Sequence, residues 1–321
     1  MPITPDKPWL APLAGFSDLP FRLLCRQYGS AAAFTEMISA KGLIYKTANT
    51  LSLLRTCPED SPLVVQLYGN EPEVIYKATL ILVQEGYKYF DLNCGCSVRK
   101  VTKTGAGAAL MRNPDLLVEI FYAMAEGAGH KQCGIKFRLG WSHDCLTYLN
   151  IAEKLKYSGI GWITLHPRTA TQLFSGKAAW KYLKTLKDST PIPIIASGDL
   201  FTAQDAIRCI AETNVDNIMF ARGALNNPAI FLQYLMLRRK MTSPEFNVEF
   251  IREICLNTVS FYRTYYPSHK AVLKMRTVLP RMIREIPGSK EIRKKIIACR
   301  NWDEIQEVIT GEIHERQNTP C

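Results

Sequence analysis

The sequence predicts an α/β fold: a (β/α)8 TIM barrel followed by a small C-terminal α-helical bundle. Three observations carry that prediction. Eight short apolar runs, most ending in polar residues or glycine, alternate with amphipathic stretches up to residue 237. The first run is not followed by the G-x-G-x-x-G turn of an open dinucleotide-binding sheet, which disfavours the doubly wound alternative. Near residue 240 the pattern becomes purely helical. A chain of 321 residues therefore divides into a barrel over 1–237 and a helical domain over 238–321.

The runs WLAPLAG (9–15), AFTEM (33–37), LVVQLYG (63–69), YFDLNCG (89–95), GIKFRLG (134–140), WITLHPR (162–168), PIIASGD (193–199) and NIMFARG (217–223) read as strands. Most are continuously apolar, as expected of parallel strands buried on both faces. Helix starts fall between them. Asn70 with Glu73 makes a cap, Pro72 suits a first turn, and that helix should end near Gly86. Asn113-Pro114-Asp115, Thr202 with Asp205, and Asn227-Pro228 open three more. Beyond 240, helices are predicted over 245–265, 270–286, 289–299 and 301–315, punctuated by Pro267, Pro280, Pro287 and Gly288. Pro280 should kink or split the second of them.

Composition narrows the function. Hydrophobic residues at 47% and charged residues at 21% argue against disorder or a fibre. No apolar run is long enough to span a bilayer, and the N-terminus lacks the pattern of a secretory signal. The ten cysteines are scattered without a C-x-x-C pair, so neither a metal site nor a disulfide framework is indicated, and a cytoplasmic location is expected. The formal charge of +11 is uneven: residues 238–300 hold 15 basic and 5 acidic side chains, whereas 301–321 hold 1 basic and 5 acidic. A polyanionic partner is expected for that basic segment, which includes Lys294 and Lys295. A solvated helix face is its plainer explanation.

In such a barrel, active sites lie at the C-terminal ends of the strands. In order, those ends carry Pro12-Leu13-Ala14, Glu36, Gln66, Asn93 to Cys96, Lys136 with Arg138, His166 with Arg168, Ser197-Gly198-Asp199, and Ala221-Arg222-Gly223. Barrel packing alone does not require a polar terminus on nearly every strand. The last two termini read as an anion site, where Gly198 and Gly223 permit close backbone approach and Arg222 adds a cation. With Lys136 and His166 beside it, the set suits a phosphorylated, planar cofactor. Singly, each glycine reads as a turn. Cys96 is followed by Arg99, Lys100 and Lys103, cations that favour a thiolate, so it reads as a tuned acid or nucleophile. Cys94 is two residues away, and spacing does not choose between them.

The stretches APLAGFSDLPFR (11–22), TEMISAKGL (35–43), VQLYGNEPE (65–73), FDLNCGCSVRKVTKTGAGAAL (90–110), IKFRLGW (135–141), LHPRTATQLFSGKAAW (165–180), ASGDLFTAQDA (196–206) and MFARGALNNPAIF (219–231) resemble, in order and spacing, the tRNA-dihydrouridine synthases. The resemblance implies an FMN-dependent, NADPH-reduced enzyme that saturates the C5–C6 bond of particular uridines in tRNA. It implies hydride transfer from flavin N5 to uracil C6 and a proton from Cys96 to C5. It implies flavin contacts at Pro12, Leu13, Ala14, Gln66, Lys136, His166, Ser197, Gly198, Asp199, Ala221 and Arg222. Asn93 is implied beside the reacting base and Arg168 near the flavin or substrate mouth. The helical C-terminal domain, with Lys294 and Lys295, is implied to hold tRNA, and no obligatory protein partner is expected.

The chain departs from the family's usual residues at Leu13, Ser97, Pro167, Ser197 and Ala221. Pro167 removes a backbone N–H, and Ala221 adds a methyl where backbone would approach phosphate. Two other readings share the barrel: an FMN-dependent ene-reductase acting on a small molecule, and an RNA-binding protein on an inactive flavin barrel.

Overall fold

The computed structural model describes residues 1, 3–129, 131–266, 269–284 and 286–314. Eight parallel strands close into a barrel: β1 (Trp9–Leu10), β2 (Ala32–Phe34), β3 (Leu63–Tyr68), β4 (Tyr89–Cys94), β5 (Cys133–Arg138), β6 (Trp162–His166), β7 (Ile194–Ala196) and β8 (Asn217–Phe220). Closure is made at β1, where Trp9 is level with Met219 on one side and Ala32 on the other. The second strand is shorter than predicted. It stops at Phe34 and resumes as the two-residue strand Ile38–Ser39, also paired with β3. The interruption comes where the Thr35 hydroxyl, rather than a ladder carbonyl, accepts the Gln66 N–H at 3.1 Å.

Alternation along the strands separates two cores. Trp9, Phe34, Val64, Trp162, Ile195 and Met219 point inward and fill the barrel, with Trp9 edge-on to Trp162 at 5.5 Å. Leu10, Val65, Phe90, Leu92, Ile135, Phe137, Ile163, Leu165 and Phe220 point outward beneath the helices. The plug of aromatic side chains leaves the chemistry-bearing residues to the strand ends.

Two of the predicted caps form. Asn113 accepts the Leu116 N–H ahead of helix Pro114–Ala128, and Thr202 with Asp205 makes a full capping box for Ala203–Thr213. Two do not. Pro72 occupies the first turn of Pro72–Gln84, so the cap position falls on Glu71, not Asn70. After β8 a short helix, Arg222–Asn226, intervenes before Ile230–Arg238, and Asn227 hydrogen-bonds Gln233 at 2.8 Å instead of capping.

Four further helices follow: Val248–Tyr265, His269–Met282, Ser289–Ala298 and Trp302–Glu312. Pro280 neither splits nor delays the second of these, which ends two residues later and four short of the predicted end. Pro267 and Glu315 lie outside the described residues. Val248–Tyr265 packs on Leu19–Gln27, the first helix of the barrel. The joint is polar at one end: Tyr262 donates to Asp18 at 2.8 Å, and Lys274 pairs with the same carboxylate. The Arg281 guanidinium lies over the Phe16 ring, 4.6 Å from its centroid, so these helices touch the loop after β1. No helix among the described residues is long and apolar enough to cross a membrane.

Candidate active site

The C-terminal ends of the strands surround a cavity of about 650 Å3. Of the sequence-predicted residues, Pro12, Leu13, Ala14, Asn93, Cys96, Lys136, His166, Ser197, Gly198, Asp199, Ala221 and Arg222 line it. Alternation explains much of this convergence. Asn93 is level with Lys136 across β4 and β5, and Arg138 is level with His166 across β5 and β6. These side chains share the inward parity of the strands, whereas Cys94 faces outward and is completely buried beneath the helices. The structure therefore separates the two cysteines that spacing leaves equivalent.

Cys96 lies just past β4. Its N–H donates to Asn93 Oδ1 at 3.0 Å, and its carbonyl accepts from Ala108 at 2.9 Å. Gly107, with φ +62°, packs so closely that a Cβ there would stand 2.7 Å from the Cys96 carbonyl oxygen. The thiol environment differs from the one predicted. Burial raises the Cys96 thiol above its ordinary value, and the Val98 hydrogen bond with the Arg138 and Lys136 charges only partly opposes it. Arg99, Lys100 and Lys103 are not what tunes it: they are exposed, at or after a short helix, Arg99–Thr102. Burial outweighs the cations, so the thiol is protonated at neutral pH.

Lys136 forms no ion pair among the described residues; burial, then Arg138, lowers it to about 8, with the Asp91 charge opposing. Arg138 clamps two loops at once, donating to the carbonyls of Gly95 (2.9 Å) after β4 and of Thr169 (3.0 Å) and Leu173 (2.7 Å) after β6. In the sequence Arg138 stands at a strand end, and its i, i+2 relation to Lys136 is the signal that puts it in the site. His166 is buried, and desolvation with four surrounding cations holds it well below its ordinary value. Because Arg168 can only donate, its Nη1 contact to His166 Nε2 at 3.2 Å places the neutral ring's proton on Nδ1. Gly198 (φ +116°) makes that ring position possible, since a Cβ would stand 2.4 Å from His166 Cδ2. Gly223, by contrast, is required by packing: a Cβ would meet the Leu200 carbonyl at 2.4 Å.

Four predicted residues lie elsewhere. Arg168 is not at the mouth. It is buried behind His166, bonded to Asp199 at 2.7 and 2.9 Å and to the Gly176 carbonyl at 2.5 Å. Asp199 also accepts from Arg222 (3.1 Å) and from the Ala178 N–H (2.7 Å). Burial raises its carboxyl, but these bonds and charges outweigh that and hold it below its ordinary value. Gln66 is wholly buried one level below the cavity and reaches it only through Asn93. Lys294 and Lys295 are on the exposed surface of helix Ser289–Ala298, ion-paired with Glu291 (2.9 Å) and Glu312 (2.5 Å). None of these four lines the cavity.

The mouth also holds aromatic residues that no motif marks. Arg222 is flanked by the exposed rings of Phe174 (4.6 Å) and Phe201 (4.8 Å). Only aromatic type inside the segments 165–180 and 196–206 marked them. Among the family departures, Ser97 lines the cavity with a buried hydroxyl lacking a partner, and the Pro167 carbonyl accepts the Ala179 N–H at 3.0 Å.

The dihydrouridine synthase family model matches residues 9–318. The chain is 33% identical over 313 residues to a probable tRNA-dihydrouridine synthase of Aquifex aeolicus, covering 96% of each chain. It is 30% identical to tRNA-dihydrouridine synthase B of Vibrio cholerae, covering 94% of each. Among solved structures, a variant of NCR from Zymomonas mobilis superposes with a TM-score of 0.52 at 14% identity, over 76% of this chain and 89% of that one, a likeness of fold alone.

Proposed function

The chain belongs to the dihydrouridine synthase family, and from that premise we propose that it reduces the C5–C6 bond of particular uridines in tRNA, with FMN as resident cofactor and NADPH as reductant. The observation that carries this reading is the half-buried Cys96 thiol, raised above its ordinary value by burial, lining the same cavity as Lys136.

The residues present fit a flavin. The cavity has the size of a cofactor site and largely apolar walls from Ala11, Leu13, Met37, Met219 and Ala221. Lys136 offers a cation to the polar edge of a planar ring. Arg222, fixed by Asp199, offers a second cation for a phosphate at the loops after β7 and β8. Pro12, Leu13, Ala14, His166, Ser197, Gly198 and Ala221 complete the wall. Asp199 and Arg168 act by fixing Arg222 and His166 rather than by touching the cofactor.

When bound and reduced, FMN supplies a hydride from N5 to uracil C6. That addition leaves negative charge on C5 and the C4 carbonyl, and Cys96 then gives its proton to C5. The thiolate left behind forms in the field of Arg138 and Lys136, the cations that lower its pKa in the resting structure. Asn93 shares the cavity beside Cys96, placed to hold the base by its amide. A base inside folded tRNA must first be exposed, at a cost of a few kcal/mol. Contacts to surrounding phosphates offset that cost. We assign them to the helical domain over 238–321 together with Arg99, Lys100 and Lys103 at the mouth, and the redox chemistry to the barrel over 1–237.

The test is mass-spectrometric mapping of dihydrouridine in tRNA treated with the purified enzyme, with free uridine as the comparison. Cys96→Ala is expected to lower product formation by about 10²-fold or more while NADPH still bleaches the yellow colour. Equal reduction of free uridine would point instead to a small-molecule ene-reductase. Undiminished activity in Cys96→Ala would remove the thiol from the mechanism.

A further inference from the structure

Below the cavity one connected line of polar side chains runs through the barrel interior. It starts at Asp91, which is completely buried on β4. Both carboxyl oxygens face donors: Trp162 Nε1 at 3.2 Å on Oδ1 and Gln66 Nε2 at 2.7 Å on Oδ2. Gln66 passes the pattern upward, its Oε1 accepting from Asn93 Nδ2 at 2.7 Å. Asn93 Oδ1 is then left to accept from the backbone N–H groups of Gly95 (3.2 Å) and Cys96 (3.0 Å).

A side-chain amide has a donor end and an acceptor end; an ionised carboxylate has only acceptors. Fixing one end of the line therefore fixes all of it. If Gln66 turned over, its NH2 would face the Asn93 NH2. Asn93 would turn in response and set its own NH2 against the N–H groups of the Cys96 loop. Each buried group left without a partner costs about 1–3 kcal/mol. We infer that Asp91 is a positioning residue for the reaction: it dictates which way the Gln66 and Asn93 amides face and, through Asn93, holds the backbone that carries the Cys96 thiol. Its importance for catalysis rests on the proposed role of Cys96, whereas the hydrogen-bond line does not.

The line can be rewritten without changing its shape. Asp91→Asn offers one acceptor to two donors, so one donor is opposed. Gln66→Glu alone sets two carboxyl groups against each other. The pair Asp91→Asn/Gln66→Glu restores every bond. In it, the amide oxygen at position 91 accepts from Trp162 and its NH2 donates to the new carboxylate at 66, which still accepts from Asn93.

The experiment compares the wild type, both single variants and the double variant as holoenzymes at pH 8. It uses two readouts: single-turnover dihydrouridine formation in tRNA, and the rate of Cys96 alkylation by iodoacetamide, followed by peptide mass spectrometry. In Asp91→Asn, product formation is expected to fall about tenfold or more, and Cys96 alkylation to quicken as the loop loosens. The double variant is expected to recover most of both changes. A merely structural demand for a buried acid at 91 predicts no such recovery. Native rates in Asp91→Asn, or a double variant no better than the single ones, would overturn the inference. If Asp91→Asn does not fold, the double variant decides alone: near-native rates support the inference, and failure to fold overturns it. Should the wild type form no dihydrouridine, the proposed function fails, and alkylation still tests the line.

Discussion

Two parts of the molecule are rich in cations and use them in opposite ways. In the segment 238–300 many basic side chains are already engaged. Arg238 pairs with Asp6, Lys274 with Asp18, Lys294 with Glu291 and Lys295 with Glu312, while Arg276 donates to the Cys299 carbonyl. At the barrel mouth, Lys136 and Arg138 form no ion pair among the described residues, and Arg168 and Arg222 share a single carboxylate, Asp199. Net charge along the sequence therefore locates the cations but not the field. An exposed pair is screened by water and salt, whereas a desolvated cation facing a cavity acts on its ligand at close to full strength.

The largest effect expected from this contrast is at Lys136. Lys136→Met should weaken flavin binding about hundredfold, the cost of removing one partner of a buried charge contact. Fluorescence of released flavin measures it. Lys136 is lowered to about 8 by burial, so in the wild type flavin should be released increasingly as pH rises through that value, and the variant should show no such step. Unfolding cannot mimic the step through this group. Between the folded value of about 8 and the ordinary lysine value, the unfolded chain binds more protons, so this group's contribution to stability rises with pH. A pH-independent wild type would place Lys136 away from the cofactor.

The same contrast explains what was legible in the sequence. The eight strands were readable because parallel strands buried on both faces give continuous apolar runs, and the site was readable because it sits on their ends. Caps with an oxygen three residues ahead of an N–H were readable at Asn113 and Thr202. The Asn70 cap was misplaced although Pro72 held the correction: proline in the first turn pushes the cap to Glu71. Arg168 looked like a mouth residue because its carboxylate partner, Asp199, is 31 positions away, a pairing no local pattern reveals. Likewise the thiol of Cys96 looked activated by the cations that follow it in sequence, yet burial dominates, opposed by the Val98 backbone and by the charges of Arg138 and Lys136 on β5.

A smaller effect is expected from the cations beside Cys96. Arg99, Lys100 and Lys103 are exposed and without carboxylate partners among the described residues, and Arg99 lines the cavity. Replacing the three with serine should reduce the slope of log affinity for tRNA against log salt by about 2, if each meets a phosphate, since each such contact releases roughly 0.7–0.9 of a counterion. NADPH-driven bleaching of the flavin should be unchanged. An unaltered slope would return tRNA binding to the C-terminal helices alone.

The smallest effect separates paired from free charge directly. Lys294→Gln and Lys295→Gln each remove a cation whose field is already offset by Glu291 or Glu312 on the exposed surface. Each should therefore change tRNA affinity by no more than about threefold, within the range measured for exposed ion pairs. The sharper measurement is on the acids. Glu291→Gln releases Lys294 without removing any cation. If this face of the helical domain meets the phosphate backbone, the variant should bind tRNA about threefold more tightly and with a steeper salt dependence. Unchanged affinity in Glu291→Gln, together with a large loss in Lys294→Gln, would break the comparison: the lysine would then act through a specific contact that the ion pair does not attenuate.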